Sequence, residues 1–258
     1  MMLDGKVVLV TGAANGLGAG IVEALLASGA RVALSDVNEA ALAATRGRLD
    51  PPGERTIAAV ADVTDTRAIA SFVPAIVAAF GRVDALVNNA GVIYMGEALG
   101  ESPAEFDRQF SVNVGGLFAC CKAAARQFIA QGTGGAIVNI ASNAGKVGFP
   151  AMAGYNASKA AVINLTRTLA AEWAPHRINV NAVCPGSVST PMLRNVAEYL
   201  SSQTGLPAEQ HFSRMVPAQL KRHIQPVEVG RVVAFLLSDE AEIIRGQSIN
   251  VDGGETPY

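Results

Sequence analysis

The chain has 258 residues, of which 50% are apolar and 16% charged, with a formal net charge of −2. That composition excludes a disordered chain, and the slight negative charge argues against nucleic acid as a partner. Three cysteines, two of them adjacent at Cys120 and Cys121, make no disulfide framework and fit a reducing, cytoplasmic setting.

In chain order, short apolar runs bounded by turn residues alternate with stretches of helical period. Lys6 to Thr11 reads as a first buried strand. Gly18 to Ser28 follows as a helix with Ile21, Val22, Leu25 and Leu26 on one stripe and Gly29 placed to end it. Arg31 to Asp36 and Thr56 to Ala61 are the next strands, and Ala68 to Phe80 the next clear helix, where Pro74 predicts a kink or a shifted start. Asp84 to Asn88, Ala136 to Ser142, Ile178 to Cys184 and Ser248 to Val251 complete the strands, with a helical stripe over Ser158 to Trp173. Near-continuous Val, Ile, Leu and Ala fits strands covered on both faces, as in a parallel sheet. The alternation predicts one α/β domain over residues 1–258, a Rossmann-type doubly wound parallel sheet of about seven strands with helices on both faces.

One segment breaks the rhythm. From Thr190 to Gln225 no strand is evident, and Gly, Pro, Ser and Gln are scattered among Met192, Tyr199, Phe212 and Met215. A long insertion after a strand's carboxyl end predicts a substrate lid at about 190–225, the alternative being a peripheral pair of packing helices. No run of about 20 apolar residues offers a membrane span, although mean hydropathy is +0.30. The start, Met1 to Lys6, lacks the pattern of a signal peptide.

The first strand leads into Thr11-Gly12-Ala13-Ala14-Asn15-Gly16-Leu17-Gly18 and then a helix. Glycines let a backbone approach a ligand closely, and a helix start aims free N–H groups and a positive dipole end at a pyrophosphate. The spacing G-x-x-x-G-x-G departs from G-x-G-x-x-G, so placement between strand and helix carries the inference. Asp36 ends the second strand, where a dinucleotide fold presents an acid to the adenine ribose. Such a carboxylate repels the extra phosphate of NADP. No Lys or Arg stands at Ala13, Ala14, Asn15, Val37 or Asn38 to offset it, so NAD is favoured. Capping of the following helix is a compatible role for Asp36.

Tyr155-Asn156-Ala157-Ser158-Lys159 puts a phenol and an ammonium at i and i+4, on one helix face. Ser142 stands at the carboxyl end of a strand, the edge where open α/β sheets bind ligands. Together with Thr11 to Gly18, Asp62-Val63, Asn88-Asn89-Ala90-Gly91, Asn113, Pro185-Gly186 with Thr190, and the closing Gly246-Gln247 and Val251 to Gly254, these residues resemble the short-chain dehydrogenase/reductase family over essentially the whole chain. The resemblance implies a catalytic set of Asn113, Ser142, Tyr155 and Lys159. It implies that Asp62 and Val63 hold the adenine, that Asn89, Ala90 and Gly91 line the cofactor, and that Val188 and Thr190, after Pro185 and Gly186, hold the nicotinamide amide. Gly12, Asn15, Gly16, Leu17, Gly18 and Asp36 complete the NAD site, with Tyr155 and Lys159 also touching it.

Electrostatics agrees with that role for Tyr155. A free phenol has a pKa of about 10, and lowering it by about three units takes roughly 4 kcal/mol. One ammonium about 4 Å away at an effective dielectric near 20 supplies about that much, and the positive nicotinamide of NAD adds to it. Ser142 is then expected to hydrogen-bond the reacting oxygen. By themselves, Ser142 is an ordinary strand-end serine and Asn113 a solvated helix asparagine. The resemblance instead implies a kink at Asn113 that binds a water relaying protons from Lys159.

His176, His211 and His223 show no metal-ligand spacing, so no metal is expected. Cys120, Cys121 and Cys184 read as packing thiols, Met192 and Met215 as pocket floor or core seal. Arg194, Lys221 and Arg222 are too sparse to argue for an anionic substrate. The functional expectation is an NAD-dependent oxidoreductase interconverting a small secondary alcohol (a polyol, sugar alcohol or diol) and its ketone. A 3-oxoacyl-type reductase is the close alternative, and a non-catalytic NAD-binding regulator the distant one. The resemblance also implies a homotetramer, with helices around Asn113 and Ser158 buried between subunits.

Overall fold

Seven apolar runs form the strands β1 (Val7–Thr11), β2 (Arg31–Asp36), β3 (Thr56–Val60), β4 (Ala85–Asn88), β5 (Gly135–Ile140), β6 (Ile178–Pro185) and β7 (Ser248–Val251). In the computed structural model, which describes residues 1–258, they make one parallel sheet in the order β3-β2-β1-β4-β5-β6-β7. This is the doubly wound arrangement expected from the alternation of strands and helices. The chain leaves β1 toward β2 on one side and returns to β4 on the other, so a crevice opens where the direction of winding reverses, beyond the carboxyl ends of β1 and β4.

Successive strand residues point to opposite faces, and each face has its own apolar layer. Val8, Val10, Val32, Leu34, Val87 and Val138 pack under α1 (Gly16–Ala27) and α9 (Pro226–Leu236). Leu9, Leu86, Ile137 and Val180 pack under α3 (Thr66–Phe80), α5 (Leu117–Gln131) and α6 (Ala153–Trp173). Burial on both sides is why the inner strands β1, β4 and β6 are mostly apolar. Two further helices, α2 (Glu39–Leu49) and α4 (Pro103–Phe110), lie nearer the surface. No helix is long and apolar enough to cross a membrane.

Several boundaries differ from the sequence reading for local reasons. Helix α3 starts two residues before Ala68, because Asp65 caps it through the Arg67 and Ala68 amides, and it continues through Pro74. Strand β5 stops at Ile140, because Ser142 accepts the Ala144 amide and starts a 3-10 turn. Helix α6 begins at Ala153 rather than Ser158, which puts Tyr155 in its first turn.

The segment expected to be irregular holds two helices, α7 (Pro191–Thr204) and α8 (Ala208–Arg214). Thr190 caps α7, its hydroxyl accepting the Leu193 amide. A short parallel bridge between Val188 and Ile224 ties the two ends of this excursion together. Phe212 packs inward, stacked on His223 with rings 4.2 Å apart, while the Arg194 guanidinium lies 4.2 Å from the centre of the Phe212 ring.

Candidate active site

The crevice holds a cavity of about 590 Å³. Its walls include every residue expected at the cofactor: Gly12, Asn15, Gly16, Leu17, Gly18, Asp36, Asp62, Val63, Asn89, Ala90, Gly91, Pro185, Gly186, Val188 and Thr190. Ser142, Tyr155 and Lys159 line it too.

The glycine-rich turn is built for close approach. Gly12 has φ +62, and a side chain there would meet the Ala90 backbone at 2.7 Å. At Gly18 a Cβ would run into the Gly12 carbonyl. Asn89 stitches the turn to β4, its amide nitrogen donating to the Gly12 carbonyl at 2.8 Å and to that of Thr11 at 3.1 Å. Helix α1 has no side-chain cap at Asn15, so its first amides stay free at the cavity wall. An uncapped helix start behind a glycine turn fits the pyrophosphate of a dinucleotide.

At the end of β2, the Asp36 carboxylate is fixed by the Ala14 amide at 2.9 Å and the Asn38 amide at 3.0 Å. Asn38, not Asp36, caps α2, through the Ala41 amide. Asp36 therefore stands rigid on the cavity wall with lone pairs to spare for a ribose. Asp62 holds the turn before α3 by accepting from the Thr64 amide and hydroxyl, both at 2.8 Å.

Tyr155 and Lys159 share one face of α6. The Lys159 Nζ lies 5.6 Å from the centre of the Tyr155 ring and donates to the Ile140 carbonyl at 2.8 Å. Burial lowers Lys159 to about 8. Burial likewise pushes the Tyr155 phenol above its ordinary value, with a hydrogen bond to Ser142 drawing it partly back. Desolvation is the larger of the two influences on the phenol.

Asn113 lies behind the wall, not on it. It is 1% exposed within a π-helical turn, Ser111–Gly116, between α4 and α5. Its amide clamps both backbone groups of Val92, accepting from N–H at 2.8 Å and donating to C=O at 2.9 Å, and it donates to the Ser158 hydroxyl at 3.0 Å. The asparagine is thus neither solvated nor on a regular α-helix.

Other wall residues carried no local signal in the sequence. Phe149 and Met152 precede α6, Ile93 follows β4, and Ser187 and Glu255 lie beyond β6 and β7. Met192, in α7, and Met215, just after α8, read from the sequence as pocket floor or core seal, line the cavity. The three cysteines are buried and free, and burial raises Cys120 to about 12.

The sequence matches the family described as enoyl-(acyl carrier protein) reductase over residues 12–256. It is 39% identical to a short-chain dehydrogenase/reductase of Armillaria gallica over 253 residues, 97% of this chain and 96% of that protein. The chain belongs to the short-chain dehydrogenase/reductase family. A further relative, the sorbitol dehydrogenase of Cereibacter sphaeroides, is 37% identical over 98% of both chains. In structure, this dehydrogenase/reductase resembles a variant of the actinorhodin polyketide ketoreductase solved with NADPH, with a TM-score of 0.92, 36% identity and 98% of each chain covered. The protein is accordingly an NAD(P)-dependent oxidoreductase acting on alcohol or oxo groups, with a dinucleotide site of the Rossmann type.

Proposed function

We propose that the enzyme oxidises a small secondary alcohol, of the polyol or diol kind, with NAD, and that Tyr155 is its general base. The observation that carries this reading is the convergence of Ser142, Tyr155 and Lys159 on one cavity that also holds the glycine turn and Asp36. The glycine turn and the start of α1 hold the pyrophosphate, Asp36 the adenine ribose, and Asp62 and Val63 the adenine. Asn89 to Gly91, and Pro185 to Thr190, line the nicotinamide half. When bound, the oxidised nicotinamide supplies the hydride acceptor and a fixed positive charge.

The chain's own groups manage the proton. Ser142 hydrogen-bonds the substrate oxygen and holds it against the phenol. Tyr155 takes the hydroxyl proton on its phenolate oxygen as the carbonyl forms, and returns it in the reverse direction. Lys159 holds the ribose near the nicotinamide and stabilises the phenolate. Because burial by the protein holds the phenol high, the phenolate requires cofactor charge as well as Lys159, which couples proton removal to a loaded site. Asn113 fixes Val92 behind Gly91, and its π-turn provides the water path toward Lys159. Helices α7 and α8 serve as the substrate lid, presenting Met192, Leu193, Val196 and Met215 to the reactant.

NAD preference rests on Asp36, which repels a 2′-phosphate, with no neighbouring cation. The deciding experiment is a screen of secondary alcohols, diols and sugar alcohols with NAD and with NADP, followed by NADH absorbance. Turnover of alcohols with NAD is the expected result. Rapid NADPH-dependent reduction of acetoacetyl thioesters, with no alcohol oxidised, would replace this reading by the oxoacyl one.

A further inference from the structure

Resting on the alcohol-oxidation reading above, we propose that Glu255 is a specificity residue whose carboxylate receives a second hydroxyl of the substrate, so that diols are favoured over the matching mono-alcohols.

The cavity is unevenly furnished at its reactive end. Phe149, Met152, Leu193 and Met215 give apolar walls that suit a hydrocarbon body. Against them stands one polar stripe. The Ser142 hydroxyl donates to the Asn143 side-chain oxygen at 3.3 Å, Asn143 and Glu255 line the same cavity, and the Ser187 amide donates to the Glu255 carboxylate. Asn143 and Ser187 are buried at 5% and 8% exposure, so the stripe is part of the wall rather than a solvated fringe. Ser142, Asn143, Ser187 and Glu255 thus give this wall its polar groups.

Glu255 is held in place and underused. Asp252 accepts the Gly254 amide at 3.0 Å and the Thr256 amide at 2.9 Å, fixing the turn that presents Glu255 to the cavity. The Ser187 amide reaches its carboxylate at 3.2 Å and the Ser187 hydroxyl at 3.3 and 3.4 Å, all at the long end of hydrogen bonding. A carboxylate offers about four lone-pair positions, so acceptor capacity remains. The other acids on the wall, Asp36 and Asp62, stand at the ends of β2 and β3 and are engaged by backbone amides. Glu255 is the only carboxylate at the Ser142 end. Burial raises its pKa from the ordinary carboxylate value, with the Ser187 hydrogen bonds drawing it partly back. A neutral hydroxyl fits better than an ammonium, because Lys159 already places a cation on the same wall.

The test compares cyclohexane-1,2-, 1,3- and 1,4-diol with cyclohexanol and 4-aminocyclohexanol as substrates with NAD, for wild type, Glu255→Ala and Glu255→Gln. We expect kcat/KM in the wild type to be about tenfold or more higher for at least one diol than for cyclohexanol. Glu255→Ala should lower that ratio about tenfold, chiefly through the KM of the diol. Glu255→Gln, which keeps an accepting oxygen, should lower it less and decides the matter if the alanine variant does not fold. An unchanged ratio in both variants, or 4-aminocyclohexanol preferred to every diol, overturns the assignment of Glu255 alone. A wild type that oxidises none of these alcohols overturns the alcohol-oxidation reading, and this inference with it.

Discussion

The Lys159 ammonium sits 5.6 Å from the centre of the Tyr155 ring yet gives a hydrogen bond to the Ile140 carbonyl at 2.8 Å. It is thus anchored by the sheet rather than by the phenol. Both groups are desolvated by the same cavity wall, and burial acts on them in opposite senses. The phenol is held protonated above its ordinary value, and the ammonium is eased toward neutrality. A site left to these two groups would resist ionisation, which makes a charge brought in with the dinucleotide part of the design.

Tyr155→Phe removes one hydroxyl and leaves the ring and its packing. Turnover should fall by about 10² to 10⁴, the usual worth of a positioned general base, while NAD affinity changes by less than about threefold. Steady-state kinetics with any accepted alcohol, alongside NADH binding followed by fluorescence, checks both halves. A variant that keeps wild-type turnover between pH 6 and 10 would remove Tyr155 from the chemistry.

Lys159 gives a stability prediction with a definite sign. Its pKa falls from 10.5 in the unfolded chain to about 8 in the fold, so the folded protein releases this proton first as pH rises. Below pH 8 the buried charge costs about 3 kcal/mol, at about 1.4 kcal/mol per unit. That cost is relieved as pH climbs from 8 to 10.5. Lys159→Met should therefore be inactive but more stable than wild type near pH 7, by roughly 2–3 kcal/mol after the lost bond to Ile140 is counted. The gap should narrow toward pH 10. Urea unfolding of both proteins across this range tests it, and a gap that widens with pH would reverse the assignment.

The sheet was legible in the sequence because its inner strands β1, β4 and β6 are buried on both faces, and so announce themselves as apolar runs bounded by turns, whereas the edge strands β3 and β7 are only partly buried. The dinucleotide turn was legible because backbone approach at Gly12 and Gly18 leaves no room for a side chain. What escaped was decided at a distance. Helix α6 starts at Ala153 although its N-cap residue, Met152, offers no side-chain bond, since the cap comes from Glu101 on another loop. Asn113 reads as an ordinary polar helix residue until Val92 is folded against it. Glu255 lies beyond the last strand, where no periodicity points to a cavity. Helices α7 and α8 were masked by an irregular composition, because only Val196, Ala197 and Phe212 of their side chains are fully buried.

Asp36 should control the choice of dinucleotide. Its carboxylate is rigidly presented by the Ala14 and Asn38 amides, so it stands ready for a ribose and cannot easily swing away from a phosphate. Asp36→Ala should narrow the preference for NAD over NADP, in kcat/KM, by about ten- to a hundredfold, the effect of one close charge repulsion of roughly 1.4–2.8 kcal/mol. An unchanged ratio would place discrimination elsewhere on the wall. Thermal unfolding of the variant separates this effect from any loosening of the turn.

Glu101 is the remote cap of the helix that carries Tyr155. Its carboxylate accepts the Gly154 amide at 3.1 Å and the Gln109 amide at 2.7 Å, while the Gln109 oxygen accepts the Tyr94 amide at 3.0 Å. Gln109 is fully buried, so the three bonds form a rigid strut between the loop after β4 and the first turn of α6. Glu101→Ala strips the Gly154 amide of its acceptor and leaves the buried Gln109 donor with one partner fewer, at a cost of about 1–3 kcal/mol in stability. Because Gly154 adjoins Tyr155, the phenol should lose its fixed approach to Ser142. We expect kcat to fall about five- to thirtyfold with the KM for NAD nearly unchanged, and Glu101→Gln to recover part of the loss by keeping one acceptor. Equal kcat in wild type and Glu101→Ala, despite a lowered Tm, would mean that the strut supports the fold without positioning the phenol.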